Sequence, residues 1–227
     1  MPNNPQLTSE TAKGIALASE KAFEFLDSIL TNPVKELTGI LTDKVKFWRF
    51  KNQVNTILRA HEFLRSQGIQ PRKMKVKDLS NLLEFASFEE DVKMQERWAA
   101  LLANAADPNN PFDICSIFSQ ILNQISPQEV SILDYIYGQC FWKSDRDRPF
   151  LDKRDIIKLN FTVYEVTLLI FDNLLRLRLI EEEPPRLDKS KYDHENETRV
   201  DEIDLVISSR IRLSEFGVEF VRQSRFE

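Results

Sequence analysis

Apolar residues recur every three and four positions along most of the chain, the spacing of helices laid against a core. Ile15, Ala18, Ala22, Leu26 and Ile29 mark a first helix that opens at Thr8-Ser9-Glu10 and runs to about Leu30. Asn32-Pro33 joins an N-cap residue to proline at the first helical position, where the missing N–H is tolerated. The helix it starts is expected to continue to Ser66 and stop at Gly68, with Ile69 behind it, in a Schellman turn. Leu37, Ile40, Leu41 and Trp48 share one side of that helix, and Val54, Ile57, His61 and Leu64 another. Either one continuous helix meets different neighbours along its length, or the helix breaks between Lys44 and Lys51; the continuous form is the one expected.

The same period predicts a helix over Leu79 to Phe88. Ser87-Phe-Glu-Glu90, with a hydroxyl three residues before a carboxylate, has the form of a capping box for the next helix. That helix carries Val92, Trp98, Leu101 and Leu102 as its large apolar residues. Ala99, Ala103 and Ala106 form a stripe along which a neighbouring helix can approach closely. Asp107-Pro-Asn-Asn-Pro111 stops it, and Asn110-Pro111 repeats the cap-plus-proline start. The following helix has Ile114, Ile117, Phe118, Ile121, Leu122 and Ile125 on its stripe, and Ser126-Pro-Gln-Glu129 opens another through Tyr137.

Beyond Tyr137 the elements shorten. Asp152 caps a brief helix, and Thr162 with Glu165 frames a third that runs to about Leu179. Ile203, Leu205 and Ile207 then alternate with polar residues, and the alternation resumes at Ile211 and Leu213. That period of two marks strands. Ser214-Glu-Phe-Gly-Val begins a last helix. Three helices followed by a hairpin is the order of a winged helix-turn-helix. The predicted fold is mainly α: an N-terminal helical region, residues 1–125, packed on a C-terminal winged-helix-like domain with a small β-hairpin, residues 126–227.

Composition agrees with a globular chain, at 42% hydrophobic and 30% charged residues with only 5 glycines in 227. No apolar run reaches the roughly 18 to 20 residues of a transmembrane helix. The opening MPNNPQLTSE has neither a basic start nor an apolar stretch, so no signal peptide is expected. Cys115 and Cys140, at unrelated spacing, fit a reduced cytoplasmic setting.

Charge is unevenly placed. From Asp43 to Lys77 ten basic residues face Asp43 and Glu62, a net +8, whereas the remainder, 21 basic against 34 acidic, carries −13. Lys44, Lys46, Arg49 and Lys51 interleave with Phe47, Trp48 and Phe50, a mixture found in single-strand binders. The simpler and favoured reading buries the aromatics, leaves the lysines in solvent on the opposite face and docks the segment on the acidic remainder of the chain. Arg72, Lys73, Lys75 and Lys77 form a denser run suited to a nucleic acid or another anionic surface. The third helix of the winged-helix region is a poor DNA reader by contrast. Base-reading helices present Arg, Lys, Asn or Gln near their start. Here the early turns carry Glu165 and Asp172, and Arg176 and Arg178 come late. Leu168 and Phe171, on a helix apolar nearly all round, are candidate protein contacts instead.

The chemistry expected of an enzyme is not legible. His61 and His194 are the two histidines, no CxxC occurs, and neither a glycine-rich phosphate loop nor a GxSxG elbow is present. Asp193-His194-Glu195 reads as a solvated loop and His61 as a partly buried core residue. Cys115 lies near a helix start beside Ile114 and Ile117, and Glu89, Glu90 and Asp91 favour a helix N-terminus through its dipole. No catalytic residue, metal ligand or cofactor is assigned.

Two runs carry a family likeness. One is Leu82 through Asp107, with Glu89 and Glu90 before Trp98 and Leu101-Leu102-Ala103; the other is Phe118 through Leu133, with its Ser126-Pro127-x-Glu129 turn. Leu174-Leu-Arg-Leu-Arg-Leu-Ile180 and Leu213-Ser-Glu-Phe-Gly217 extend it, so that it spans roughly Val76 to Arg222. In this order of residues the chain resembles the bacterial abortive infection alpha family. The resemblance implies a role in defence against phage and no known reaction. The function expected is a defence or regulatory role, without catalysis, through contact with another protein or with itself. The alternative is a nucleic-acid-binding regulator using Lys44 to Lys77.

Overall fold

The computed structural model describes residues 9–29, 44–111, 115–140, 148–159, 163–193, 198–206 and 208–226. The stretch expected to carry the second helix from Asn32 to Asp43 lies outside these residues, as do Thr162 and His194-Glu195. The chain divides into two compact units, Met1–Pro127 with Arg222–Glu227, and Gln128–Val221.

The first unit is helical: α1 (Ser9–Ile29), α2 (Lys44–Ser66), α3 (Val76–Ala86), α4 (Val92–Ala106) and α5 (Cys115–Leu122). Helix α4 packs on α2, α3 and α5. Ala99, Ala103 and Ala106 are fully buried, as is Ala60 on α2, while Trp98, Leu101, Leu102, Leu82 and Phe118 fill the core. Side chains that small let helices approach closely, with little rotamer freedom lost on burial. Gly68 adopts φ +67°. Its N–H bonds Arg65 O at 3.1 Å, and Ile69 N–H bonds Leu64 O at 2.9 Å. Those two bonds are the Schellman pattern, formed where the glycine predicts it.

Helix α4 is capped by Asp91 rather than Ser87. The Asp91 carboxylate accepts from Lys93 N and Met94 N at 2.9 and 3.0 Å. Ser87 closes α3 instead, donating to Glu84 O at 2.6 Å and accepting from Arg49 Nε at 3.1 Å. The buried Asn52 side chain donates to Ser87 O and Glu89 O at 3.1 and 2.9 Å, fixing this turn from α2. The choice between two cap-competent residues is thus made by side chains some 35 positions away.

The corner after α4 is tied from three sides. Arg72 donates through Nε to Ala105 O at 3.0 Å and through Nη1 to Asn110 O at 3.2 Å. Asn110 Nδ2 bonds Asn104 O at 2.8 Å, and its amide pairs with that of Gln223. The C-terminal stretch closes the same unit. Asn104 Nδ2 reaches Gln223 O and Arg225 O, Arg97 reaches Ser224 O at 3.1 Å, and Phe226 lies 4.6 Å from Phe63 between ring centroids.

The second unit runs α6 (Pro127–Cys140), β1 (Leu151–Asp152), α7 (Lys153–Lys158), α8 (Tyr164–Arg176), β2 (Ile180–Glu182), β3 (Arg186–Asp193), β4 (Thr198–Val206), β5 (Arg210–Leu213) and α9 (Glu215–Gln223). Strand β5 lies between β1 and β2, antiparallel to both, with Leu151 opposite Ile211 and Ile180 opposite Leu213. Strands β3 and β4 pair separately, with an irregularity between Lys189 and Lys191. The alternating segment is therefore split. Its first part pairs with residues 186–193, where charged residues predominate over apolar ones, and its second part joins the three-stranded sheet. Backbone pairing needs no apolar face, so charge along β3 hides the strand without preventing it.

Asp152 caps α7 as expected, accepting from Arg154 N at 2.8 Å. Helix α8 ends in a second Schellman turn. Arg178 N–H bonds Leu175 O at 2.9 Å and Leu179 N–H bonds Leu174 O at 3.0 Å, with Arg178 itself at φ +58°. The first turn of α9 sits on this corner. Ser214 N–H bonds Leu179 O at 3.1 Å, the Ser214 hydroxyl donates to Arg178 O at 2.5 Å, and Gly217 N–H caps onto Ser214 Oγ at 2.9 Å. A Cβ on Gly217 would stand 1.8 Å from Leu179 O, so only glycine fits there.

Candidate functional site

Helix α8 buries one side and leaves the other bare. Thr167, Ile170, Phe171 and Leu174 face the core of the second unit. Val163, Tyr164, Val166, Leu168 and Leu169 are exposed, Leu169 by 66%. Glu165 and Asp172 stand on the exposed side with them. Of the two residues expected to make protein contacts, Leu168 is on the surface, whereas Phe171 is only 1% exposed and is a core residue. Lys153 Nζ, from the first residue of α7, lies over the Phe171 ring at 5.9 Å from the centroid. Periodicity alone could not choose between the two sides of a helix apolar nearly all round. The position of the sheet and α7 does.

The basic segment is divided in its work. Lys44 and Lys46 belong to the first turn of α2, and their side chains lie outside those described. Arg49 is engaged by Glu84 at 2.6 Å and by the Phe88 ring at 4.1 Å. Arg72 holds the α4 corner, and Lys73 Nζ donates to Asp27 O at 3.1 Å. Arg49, Arg72 and Lys73 are thus structural as well as basic. Lys51, Lys75 and Lys77 are exposed.

Among the described residues no three His, Cys, Asp or Glu side chains gather where they could hold a metal ion. Cys115 is buried, and its Sγ lies 4.0 Å from Ser119 Oγ. His61 is half-buried with its ring stacked on Phe25 at 4.8 Å. Among the described residues two carboxylates titrate low, both in the second unit. Hydrogen bonds from the Arg154 side chain and backbone hold Asp152 well below the carboxylate range. The Ser208 hydroxyl lowers Glu183, with the charges of Arg186 and Arg210 beside it. These groups fasten the edges of the sheet: Arg210 also bonds Phe150 O, and Ser209 bonds Asp152. No helix of the described residues is long and apolar enough to cross a membrane.

The motifs quoted from the sequence fall into place together. Trp98, Leu101, Leu102 and Ala103 form the buried side of α4. Glu129, also buried, accepts from Asn173 Nδ2 at 2.5 Å and so ties the start of α6 to α8. The two C-terminal motifs meet where Gly217 crosses Leu179. Compared with known families, residues 49–224 match the model of one described as abortive infection alpha. The chain belongs to that family. The match begins earlier than Val76 and takes in most of α2, so abortive infection alpha includes elements of both units. Its description gives the chain an abortive-infection-type defence role. No curated protein matches the chain, and no solved structure does.

Proposed function

We propose that this abortive infection alpha protein is a cytoplasmic defence factor that works by contact, binding another protein or a second copy of itself, and carries out no catalysis. The bare side of α8 carries the reading. Five neighbouring apolar or aromatic side chains exposed on one short helix and its entry exceed the scattered exposure usual on a soluble surface. We read the second unit as winged-helix-like, with α8 in the place of the recognition helix. Its surface there is apolar and acidic, which suits a protein partner and repels phosphate. Exposed Lys51, Lys75 and Lys77 keep the nucleic-acid alternative testable.

Leu169→Glu tests the proposal. The site is solvent-exposed, so stability should change by no more than about 0.5 kcal/mol. Self-association measured by light scattering, or capture of a partner from phage-infected cells, should be lost together with protection. A wild-type protein that stays monomeric and captures nothing overturns the reading. Salt-sensitive binding of duplex, single-stranded or RNA probes that is lost on charge reversal at Lys75 and Lys77 would establish the alternative.

A further inference from the structure

Position 178 is the C′ residue of a Schellman turn, where glycine is favoured because a side chain at positive φ is strained. The chain places an arginine there, at φ +58°. A left-handed non-glycine residue is disfavoured by roughly 1–2 kcal/mol. Hydrogen bonds hold the turn's backbone, as they would with glycine, but the exposed Arg178 guanidinium has no partner among the described residues to offset the cost of its side chain. The fold would be better served by glycine, so the reason for the arginine lies outside the fold.

Arg178 lines a cleft of about 1000 Å³ lying wholly within the second unit. Arg148 and Arg212 line it too, as does the first turn of α9 from Ser214 to Phe216. The Arg148 side chain is only 6% exposed, and its Nη1 donates to Leu213 O at 3.3 Å. The carboxylates at the cleft are largely occupied. Glu181 is held by Arg212 at 2.7 Å and Glu182 by Lys153 at 2.5 Å. Glu215 lies 3.9 Å from Arg148 with its side chain 91% exposed. The cleft wall itself holds three arginines and three carboxylates, Lys153 engages Glu182 from outside that wall, and Arg178 is the arginine whose side chain no carboxylate holds among the described residues. The first-turn N–H groups of α9 add partial positive charge, as a helix start does.

The rest of the wall is apolar, from Leu175, Leu177, Ile180 and Phe216. A site with an electropositive end and an apolar wall suits a ligand with an anionic head and a flat or apolar body. The volume is at the upper end of the roughly 300–1000 Å³ range of small-molecule sites. Guanidinium forks and a helix N-terminus match the several oxygens of a phosphate better than a single carboxylate. We propose that this cleft, between the α8–β2 corner and the start of α9, binds a phosphorylated small molecule of nucleotide size, with Arg178 and Arg148 on its phosphate.

The test uses the full chain with AMP, ATP and inorganic phosphate, each at millimolar concentration, followed by thermal shift and isothermal titration calorimetry. A nucleotide should raise the melting temperature, and inorganic phosphate should raise it much less. Arg178→Gly removes the charge at a position that prefers glycine. It should melt at the same or a higher temperature than wild type when unliganded, yet bind the nucleotide about tenfold or more weakly, the loss of a charged hydrogen bond. Leu169→Glu should bind as wild type does, which keeps this site distinct from the α8 surface. The proposal is overturned if neither nucleotide binds, if phosphate alone acts as strongly as AMP, or if Arg178→Gly binds undiminished.

Discussion

The two units stop a helix in the same way with different residues. Gly68 ends α2 and Arg178 ends α8, each in the left-handed conformation and each with the same pair of backbone hydrogen bonds. In the first unit the residue is the one the geometry prefers, and neighbouring polar side chains also serve the fold: Asn52, Arg72, Arg97 and Asn104 each satisfy backbone carbonyls. In the second unit the same turn carries strain, and exposed apolar and charged groups stand beside it. The contrast separates a unit built for packing from one that keeps part of its chemistry for something outside itself.

Substitutions at these turns test the contrast. The largest effect belongs to Gly217→Ala. Backbone must move to admit a methyl 1.8 Å from Leu179 O, so urea unfolding should show a loss of about 3 kcal/mol or more. Gly138→Ala on α6 meets nothing within 4 Å and should stabilise by up to about 1 kcal/mol, making it the control. Next come the two helix stops, with opposite signs. Gly68→Ala should lower stability by roughly 1–2 kcal/mol, whereas Arg178→Gly should raise it by about 0.5–1 kcal/mol. Equal losses at both sites would erase the distinction.

The smallest expected effect is with pH. Asp152 and Glu183 have folded-state pKa values below their ordinary ones. Their stabilisation is therefore present above the unfolded carboxylate range, near pH 4, and is lost as pH falls through the folded values. Hydrogen exchange between about pH 5 and pH 3 should show protection falling first around β1, β2 and β5, with α4 holding longer.

What could be read from the sequence was what local chemistry decides. Gly68 followed by Ile69 gave the stop of α2, Asp152 the cap of α7, and the alanines of α4 a close helix contact, because each signal lies within one turn of its effect. The cap of α4 was assigned to Ser87 instead of Asp91, since Asn52 and Arg49 settle that choice from another helix. Phe171 looked as available as Leu168 until the neighbouring sheet and α7 showed which side was covered. Strand β3 was missed because its charges hide the alternation. The cleft was illegible altogether. Its walls come from residues 148, 175–182 and 212–216, and the arginine at its corner occupies a turn that sequence rules reserve for glycine.

The first unit is not contiguous in sequence, since its last piece, Arg222–Glu227, follows the whole of the second unit. Asn104 and Arg97 take hydrogen-bond acceptors from that piece, and Phe63 takes a ring neighbour. During synthesis α4 must therefore wait with those donors open to water while the whole of the second unit is added, because their acceptors lie 119 to 127 positions further along the chain. The second unit, by contrast, has all its strands and helices as soon as α9 emerges. The order of completion on the ribosome is then the reverse of the order of translation: the part that carries the surface and the cleft closes first, and the helical part is locked only once the piece that begins at Arg222 has left the tunnel.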